Sequence, residues 1–562
     1  MPQSRNPLKF IDPDPIPKTV AAKSYSFLNL LTLTLALLAA FFLFTNGIPL
    51  VQWGLLHALK KKDHYENLMR VSLSLFAGVM IFIRWKRPQD FEACRLIRLW
   101  RQIQSLPLSW TLGSLFFVYA ATMSLNGFFR HEVMATRAFD LGIFSQAVWN
   151  TLHDRFLFSS IKGDICLLGD HVSPFLVFLA PAYALWTDPK CLLLLQAVSS
   201  ASCVLLIGFW AYERTGDKSF AILSGIAFFF FYPSRSALHE DFHPEIMVEP
   251  LLLLAFMALE KRKKILCVLA LIPALMAKEN MTGISFMLGL YAWIWKKEVR
   301  FGISLSLISL LLFFFDIRWV VPHFSHGQYF YQANYQHITS DPVPTFIKIL
   351  CQRDVREYVA KIFFPFLFLP FLHFPTLVLT FPILLQNILS QNPTMLSLNY
   401  HYTAGMTPFL FLSTIEAFRQ ICLKFSSPVF RRWILGLFLF TSLARSGPSE
   451  YFFLWKNLSL YSPHQAMIKS KLRTIPDEAS VLTHNNFIPQ LVNRLHVYQF
   501  DYTDTISKSE MAKRHHVDYV IFDENYWESG NLQTTRDELK TLGYQNIFKK
   551  DGFYIFKKPS EK

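Results

Sequence analysis

Cysteine is scarce and poorly spaced for any of its usual structural roles. The chain of 562 residues has 7: Cys94, Cys166, Cys191, Cys203, Cys267, Cys351 and Cys422. None forms a Cys-x-x-Cys pair and none follows Cys422, which argues against a disulfide scaffold or a zinc finger. Most lie in or beside apolar stretches, where packing is their expected role. Charge is also scarce, at 17% against about 25% in an ordinary soluble domain. There is no glycine-rich phosphate loop, no nucleophile elbow, no internal repeat and no low-complexity linker. No Lys/Arg patch with interleaved aromatics occurs in a soluble segment. The net charge of +15 therefore points away from nucleic acid and toward loops that meet anionic lipid headgroups.

What is abundant is apolar sequence. Hydrophobic residues make up 52% of the chain and aromatics 16%, gathered in blocks such as Ser26 to Thr45 and Phe301 to Val321. Each block is about the ~20 residues needed to cross ~30 Å of hydrocarbon. The expected architecture is a mostly α polytopic transmembrane bundle of about thirteen spans. The spans are placed near 24–45, 67–84, 108–127, 191–212, 219–233, 246–260, 265–277, 281–295, 301–321, 358–375, 377–390, 404–422 and 432–447. The run at 24–45 is too long for a signal-peptide core and reads as a first span.

Lys and Arg in the short loops set the expected orientation. With the N-terminus in the cytoplasm, the cytoplasmic loops hold Lys86, Arg87, Arg95, Arg98 and Arg101, then Arg214 and Lys218, the run Lys261 to Lys264, Lys296, Lys297 and Arg300, and Lys424, Arg431 and Arg432. Lys60, Lys61 and Lys62 violate the rule. The polar clusters then all fall on the extracytoplasmic face, together with interfacial helices and the C-terminal part from about 448. That last part drops in hydrophobicity. Ala479 to His484, Val517 to Asp523 and Gly552 to Phe556 read as strands and Thr534 to Thr541 as a helix, giving a small α/β domain. The expected division is 1–107 (tail and two additional spans), 108–447 (transmembrane domain) and 448–562 (extracytoplasmic α/β domain).

Five clusters carry possible chemistry. Around Arg137, Asp140 and Gln146, apolar residues at Phe139, Ile143, Phe144, Ala147 and Val148 predict an interfacial helix with Asp140 near its start. Asp140 there either complements the helix dipole or serves as a general base or metal ligand. Asp170-His171 is a turn or a polar pair. His239-Glu240-Asp241-Phe242-His243-Pro244-Glu245 places five ionisable groups in seven residues at the mouth of a span, where such groups are costly and usually functional. The string matches the His-Glu-x-x-His zinc-protease signature. Pro244, however, disfavours helix at His243 and suits the start of a helix there. His239, Asp241, His243 and Glu245 remain candidate ligands for a divalent metal; the bland reading is a solvated loop. Lys278-Glu279 interrupts two apolar segments, either as a surface turn or as a phosphate-binding lysine beside an acid. His401-Tyr402 follows Asn399-Tyr400, where an aromatic belt explains the tyrosines and His401 alone says little.

In this order the clusters resemble a bacterial membrane-protein family catalogued as domain of unknown function 2079. The resemblance rests on Phe139–Asn150, Gly169–Pro174, Phe242–Glu245, Lys278–Asn280 and His401–Tyr402, and covers about 108 to 550. An Asp is common in that family where this chain has Ser145, so a second acid in that helix is absent. The family in turn resembles a distant branch of the glycosyltransferase C superfamily, whose members take sugar from a polyprenyl-phosphate carrier and use an acid in the first large outer loop. The resemblance implies a glycosyltransferase of the bacterial plasma membrane with Asp140 as its base. It implies donor contacts from Arg137, Gln146, Asp170, His171, Lys278, Glu279, His401 and Tyr402. The implied partners are the bilayer and a polyprenyl-phosphate-linked sugar, and not nucleic acid. Two competing classes are a transporter or flippase, which would place charges near the midplane, and a non-catalytic envelope protein acting through its C-terminal domain.

Overall fold

The computed structural model describes residues 95–325, 327, 329–339, 341–444, 462–500, 508–526 and 532–559. The expected spans at 24–45 and 67–84, and the junction near 448, lie outside them. Helix Arg95–Ser105 belongs to a separate unit, and the described residues from Pro107 onward pack as one.

Leu108–Glu132, Lys190–Thr215, Lys218–His239 and Val299–Ser325 are each long and apolar enough to cross a membrane. Pro174–Leu185, Lys264–Leu275, Met281–Ile294 and Phe374–Leu389 are shorter apolar helices. Glu249–Glu260, Thr407–Lys424 and Pro428–Ala444 complete the bundle. Among the described residues, helix length alone does not reach about thirteen spans. One expected span, 358–375, does not form as a single helix. Helix Arg353–Phe363 gives way to two 3₁₀ turns, with Leu367 and Phe368 both at positive φ (53° and 55°) between them. Pro365 and Pro370 each remove a backbone donor there and break the helix.

Local chemistry sets the other boundaries. Gly216 takes the left-handed conformation (φ 66°) that ends helix Lys190–Thr215. Asp217 then caps the next helix by accepting from the Phe220 N–H at 3.0 Å. Helices Met281–Ile294 and Val299–Phe315 touch backbone to backbone, since a Cβ on Gly302 would fall 2.5 Å from the Gly289 carbonyl oxygen. Small residues permit such approach where lipid gives no hydrophobic drive between helices.

The C-terminal part is a five-stranded sheet in the order β4-β3-β5-β7-β6. The strands are β3 (Val481–Thr483), β4 (Val497–Gln499), β5 (Tyr519–Asp523), β6 (Gln545–Lys550) and β7 (Phe553–Lys557). A separate hairpin of β1 (Phe158–Ser159) and β2 (Ile165–Cys166) precedes them in the chain. β3 is parallel to β4 and β5, whereas β7 is antiparallel to β5 and β6. Alternation splits each strand between two cores. Leu482, Val520, Phe522 and Phe556 face Ala512 and Leu539 of two covering helices. Val481, Ile521 and Ile555 face Ile468 and Leu472 of helix Pro463–Leu472, and also Met134 and Ala138, which follow the first long helix. The chain that leaves the membrane bundle is thus a component of the sheet's own core.

Candidate functional site

The expected helix over 137–149 begins later, at Ile143, and runs to Thr151. Phe139 is extended (φ −68°, ψ 130°) and Asp140 has φ 80°, ψ −93°. A non-glycine residue there stores about 1–3 kcal/mol of strain and persists only where its surroundings hold it. The holding groups lie on both sides. The Arg137 N–H donates to Asp241 Oδ2 at 2.8 Å, and the Ala138 N–H donates to Asn485 Oδ1 at 2.6 Å.

Asp241 is itself fixed. It is buried, at φ 120°, and pairs with Arg130 Nη1 at 2.8 Å. Arg130 also donates to the Ala135 carbonyl at 3.0 Å and to the His239 carbonyl. Gln196 closes the same loop from within the bundle, donating to the Asp241 carbonyl (2.7 Å) and accepting from the His243 N–H (3.0 Å). His239 ends helix Tyr232–His239, and His243 is extended before Pro244 opens the next short helix.

These ties place His243 Nε2 3.3 Å from Asp140 Oδ1. Burial disfavours the His243 cation, but the Asp140 carboxylate outweighs it and raises the His243 pKa to about 9. Burial likewise works against the Asp140 carboxylate, yet His243 holds its pKa below the ordinary value. Asp140 is therefore ionised at neutral pH and keeps 35% of its side chain exposed. The His401 ring stacks on His243 at 3.7 Å between centroids, and burial with the His243 charge lowers its pKa well below the ordinary value. Glu240 accepts from the His401 N–H at 3.2 Å; burial and the neighbouring acids push its pKa up to about 7.

A cavity of about 770 Å³ opens from Asp140 and is lined by Asp170, His171, His243, Glu245, Lys278, Glu279, His401 and Tyr402. Lys278 Nζ meets Glu245 Oε1 at 2.7 Å. Glu279 accepts from Tyr329 Oη (2.6 Å) and from the Val172 N–H (3.1 Å), and pairs with His171 Nδ1 (2.9 Å). Burial opposes its charge, but His171 and Lys278 bring its pKa down to about 2. Lys162 enters beside them, 3.0 Å from Asp170, which also accepts from Tyr331 Oη at 3.1 Å. One part of the remaining wall is apolar and aromatic, from Phe313, Phe314, Ile317, Pro382, Ile383 and Met395, and another is lined by the amides of Asn280, Gln332, Asn334, Gln386, Asn387 and Asn392.

Four predicted site residues lie elsewhere. The Arg137 side chain is exposed and does not line the cavity. Gln146 is buried and donates to the Arg494 and Leu495 carbonyls, just before β4, at 3.2 and 3.1 Å. His239 Nδ1 faces Asn126 at 3.0 Å, and Asp241 is occupied by Arg130. The expected ligand set of His239, Asp241, His243 and Glu245 thus does not converge, because Arg130 and Lys278 claim its two acids. Glu240, His243 and His401 do converge, with one ligand atom each within 4.8 Å of the others. Arg130, Lys162, Glu240 and Tyr329 were not singled out from sequence. An Arg ending a membrane helix looks like any flanking cation, and only the density of the 239–245 cluster signalled Glu240.

Long apolar helices with a buried charged cavity at their ends define a multi-pass membrane protein. Residues 130–554 match the family described as predicted membrane protein, DUF2079, and the chain belongs to it. No curated protein matches the sequence. Among solved structures, the fold is similar to that of ArnT from Cupriavidus metallidurans bound to undecaprenyl phosphate. The TM-score is 0.52 at 12% identity, covering 80% of this chain and 98% of that one. The apo structure of the same protein gives a TM-score of 0.46 at 12% identity, covering 75% and 93%.

Proposed function

We propose that the chain is a membrane glycosyltransferase that moves a sugar from a polyprenyl-phosphate donor to a hydroxyl acceptor at the extracytoplasmic face. The N-terminus would lie in the cytoplasm and the sheet outside. One observation carries the reading: an ionised, partly exposed Asp140 stands at one end of a cavity that holds Lys278 and Lys162 and an apolar wall. The shared fold with a protein crystallised with undecaprenyl phosphate supports it, as fold-level analogy.

In the reaction, Asp140 accepts the acceptor hydroxyl proton as the oxygen bonds to the anomeric carbon. The bond from that carbon to the phosphate oxygen breaks, and its electron pair stays on the phosphate. Lys278 and Lys162 stabilise the charge that develops there. His243 keeps Asp140 deprotonated before the acceptor arrives. The apolar wall suits the carrier chain. Glu240, His243 and His401 would also fit a divalent metal in exchange for the His243 proton, because both His243 ring nitrogens are buried without a well-formed hydrogen bond; the ion would then take over the imidazolium's charge beside Asp140. A bound ion would add positive charge beside the departing phosphate.

The test is release or transfer of radiolabelled sugar by purified protein in nanodiscs, across a panel of polyprenyl-phosphate sugars. Turnover with at least one donor is expected. No turnover with any donor, together with saturable movement of an intact lipid-linked substrate between leaflets, would replace the reading with a flippase.

A further inference from the structure

The sheet domain reaches into the site from far along the chain. β3 delivers a rigid loop at its carboxyl end: buried His484 accepts from the Asp523 N–H at 3.1 Å, and the Phe487 N–H returns to the His484 carbonyl at 3.0 Å. The next residue, Asn485, receives the Ala138 N–H on both its side-chain oxygen (2.6 Å) and its carbonyl (3.0 Å). Asn486 Nδ2 donates to the Met134 carbonyl at 2.9 Å, and Gln490 Nε2 to the His131 carbonyl at 2.7 Å. Ile488 closes the other side, since a Cβ on Gly142 would meet its Cγ2 at 3.2 Å. The Asn485, Asn486, Gln490 and Ile488 contacts all land between His131 and Gly142, a segment with two non-glycine residues at positive φ, Met134 (57°) and Asp140 (80°).

We propose that the C-terminal sheet is part of the catalytic centre, with Asn485 as the positioning residue that holds the Asp140 turn against His243. This inference rests on the transferase reading above. Arg137 and Ala138 are both held while Asp241 draws the Arg137 N–H one way and Asn485 draws the Ala138 N–H the other, which fixes where the turn through Phe139 and Asp140 begins. Asp140 is thereby kept in a conformation it would not adopt alone. Loss of the Asn485 side-chain oxygen leaves the Ala138 N–H only the longer bond to the residue 485 carbonyl (3.0 Å), which loosens the turn and lets the carboxylate move away from His243.

The experiment pairs turnover with backbone hydrogen exchange over 136–143 in the full-length protein. Asn485→Ala is expected to lower kcat by about 10- to 100-fold, with KM for the donor within about 2-fold and faster exchange at 136–143. Asn485→Asp keeps the acceptor oxygen and is expected to restore both readouts. Asn493→Ala is expected to leave kcat unchanged; Asn493 ties the same sheet to Tyr183 Oη (2.8 Å) and the Thr187 carbonyl (3.0 Å). If Asn485→Ala fails to fold, Gly142→Ala crowds the contact from the opposite side and is expected to lower kcat. Wild-type kcat in Asn485→Ala, beside an active wild type, overturns the proposal. If the wild type has no turnover with any donor, the transferase reading fails by itself. Exchange then decides the positioning role, and unchanged exchange at 136–143 overturns it.

Discussion

The two ends of the helix bundle use the same residue types to opposite effect. At one end the C-termini of three helices meet. Arg214 grips Glu416 with two bonds of 2.6 and 2.8 Å, and Glu260 takes Lys296 (2.8 Å) and Tyr291 Oη (2.7 Å). Both acids there are held by more than one donor, so the network acts as a strut. At the other end, the N-termini of Met281–Ile294 and Thr407–Lys424 border a cavity. There Asp140 has one histidine beside it and a third of its surface open, and Lys278 holds one carboxylate while facing open volume. Ionic groups become chemistry where they keep a vacant side toward a ligand, and remain architecture where partners saturate them.

That contrast breaks or sharpens under substitution. The largest effect is expected from Lys278→Met, which should cut kcat/KM by about 10²–10³-fold on the folded fraction; a change below threefold would make Lys278 a strut like Arg214. Glu416→Gln should do the reverse. It should lower unfolding stability by about 1–3 kcal/mol, because Arg214 loses its fork partner and keeps only Glu260 at 3.7 Å, while the folded protein keeps its turnover. Equal loss of activity and stability there would erase the contrast. If the proposed Glu240–His243–His401 site takes a divalent ion, His401→Ala is expected to weaken its binding by at least about 10-fold, read as metal content after dialysis against added ion, with Glu416→Gln matching wild type. The smallest effect is on pH. Burial lowers the His484 pKa to about 3, so the unfolded chain binds a proton that the folded sheet refuses. Stability is complete above about pH 6.5 and is lost progressively as pH falls toward 3. Hydrogen-exchange protection over 481–500, corrected for the base-catalysed intrinsic rate, should fall between pH 7 and 5, and unchanged protection would contradict the burial of a neutral His484.

Local features of this arrangement were legible in the sequence. Pro244 marks a helix start, and His243 is extended before it. The crowding of ionisable groups from His239 to Glu245, and the Lys278-Glu279 break between apolar helices, mark the cavity. Strand alternation at 481–483, 519–523 and 553–557 marks the sheet. What sequence could not carry was pairing over distance. The apolar stripe from Phe139 to Val148 suits a helix throughout, and nothing near it announces that Asn485 and Asp241 pull its first residues apart. The same limit hides the partners of Asp241 and Glu245, since Arg130 and Lys278 lie in other elements. Gln146 reads as a polar group beside an acid, whereas its partners are carbonyls of Arg494 and Leu495.

The most direct test of the central claim is sugar transfer by wild type and Asp140→Asn in nanodiscs, with folding and donor binding checked on both. The account predicts transfer by wild type and a loss of about 10²–10⁴-fold in kcat for Asp140→Asn, with donor affinity unchanged. Asp140→Asn turning over at the wild-type rate would contradict it.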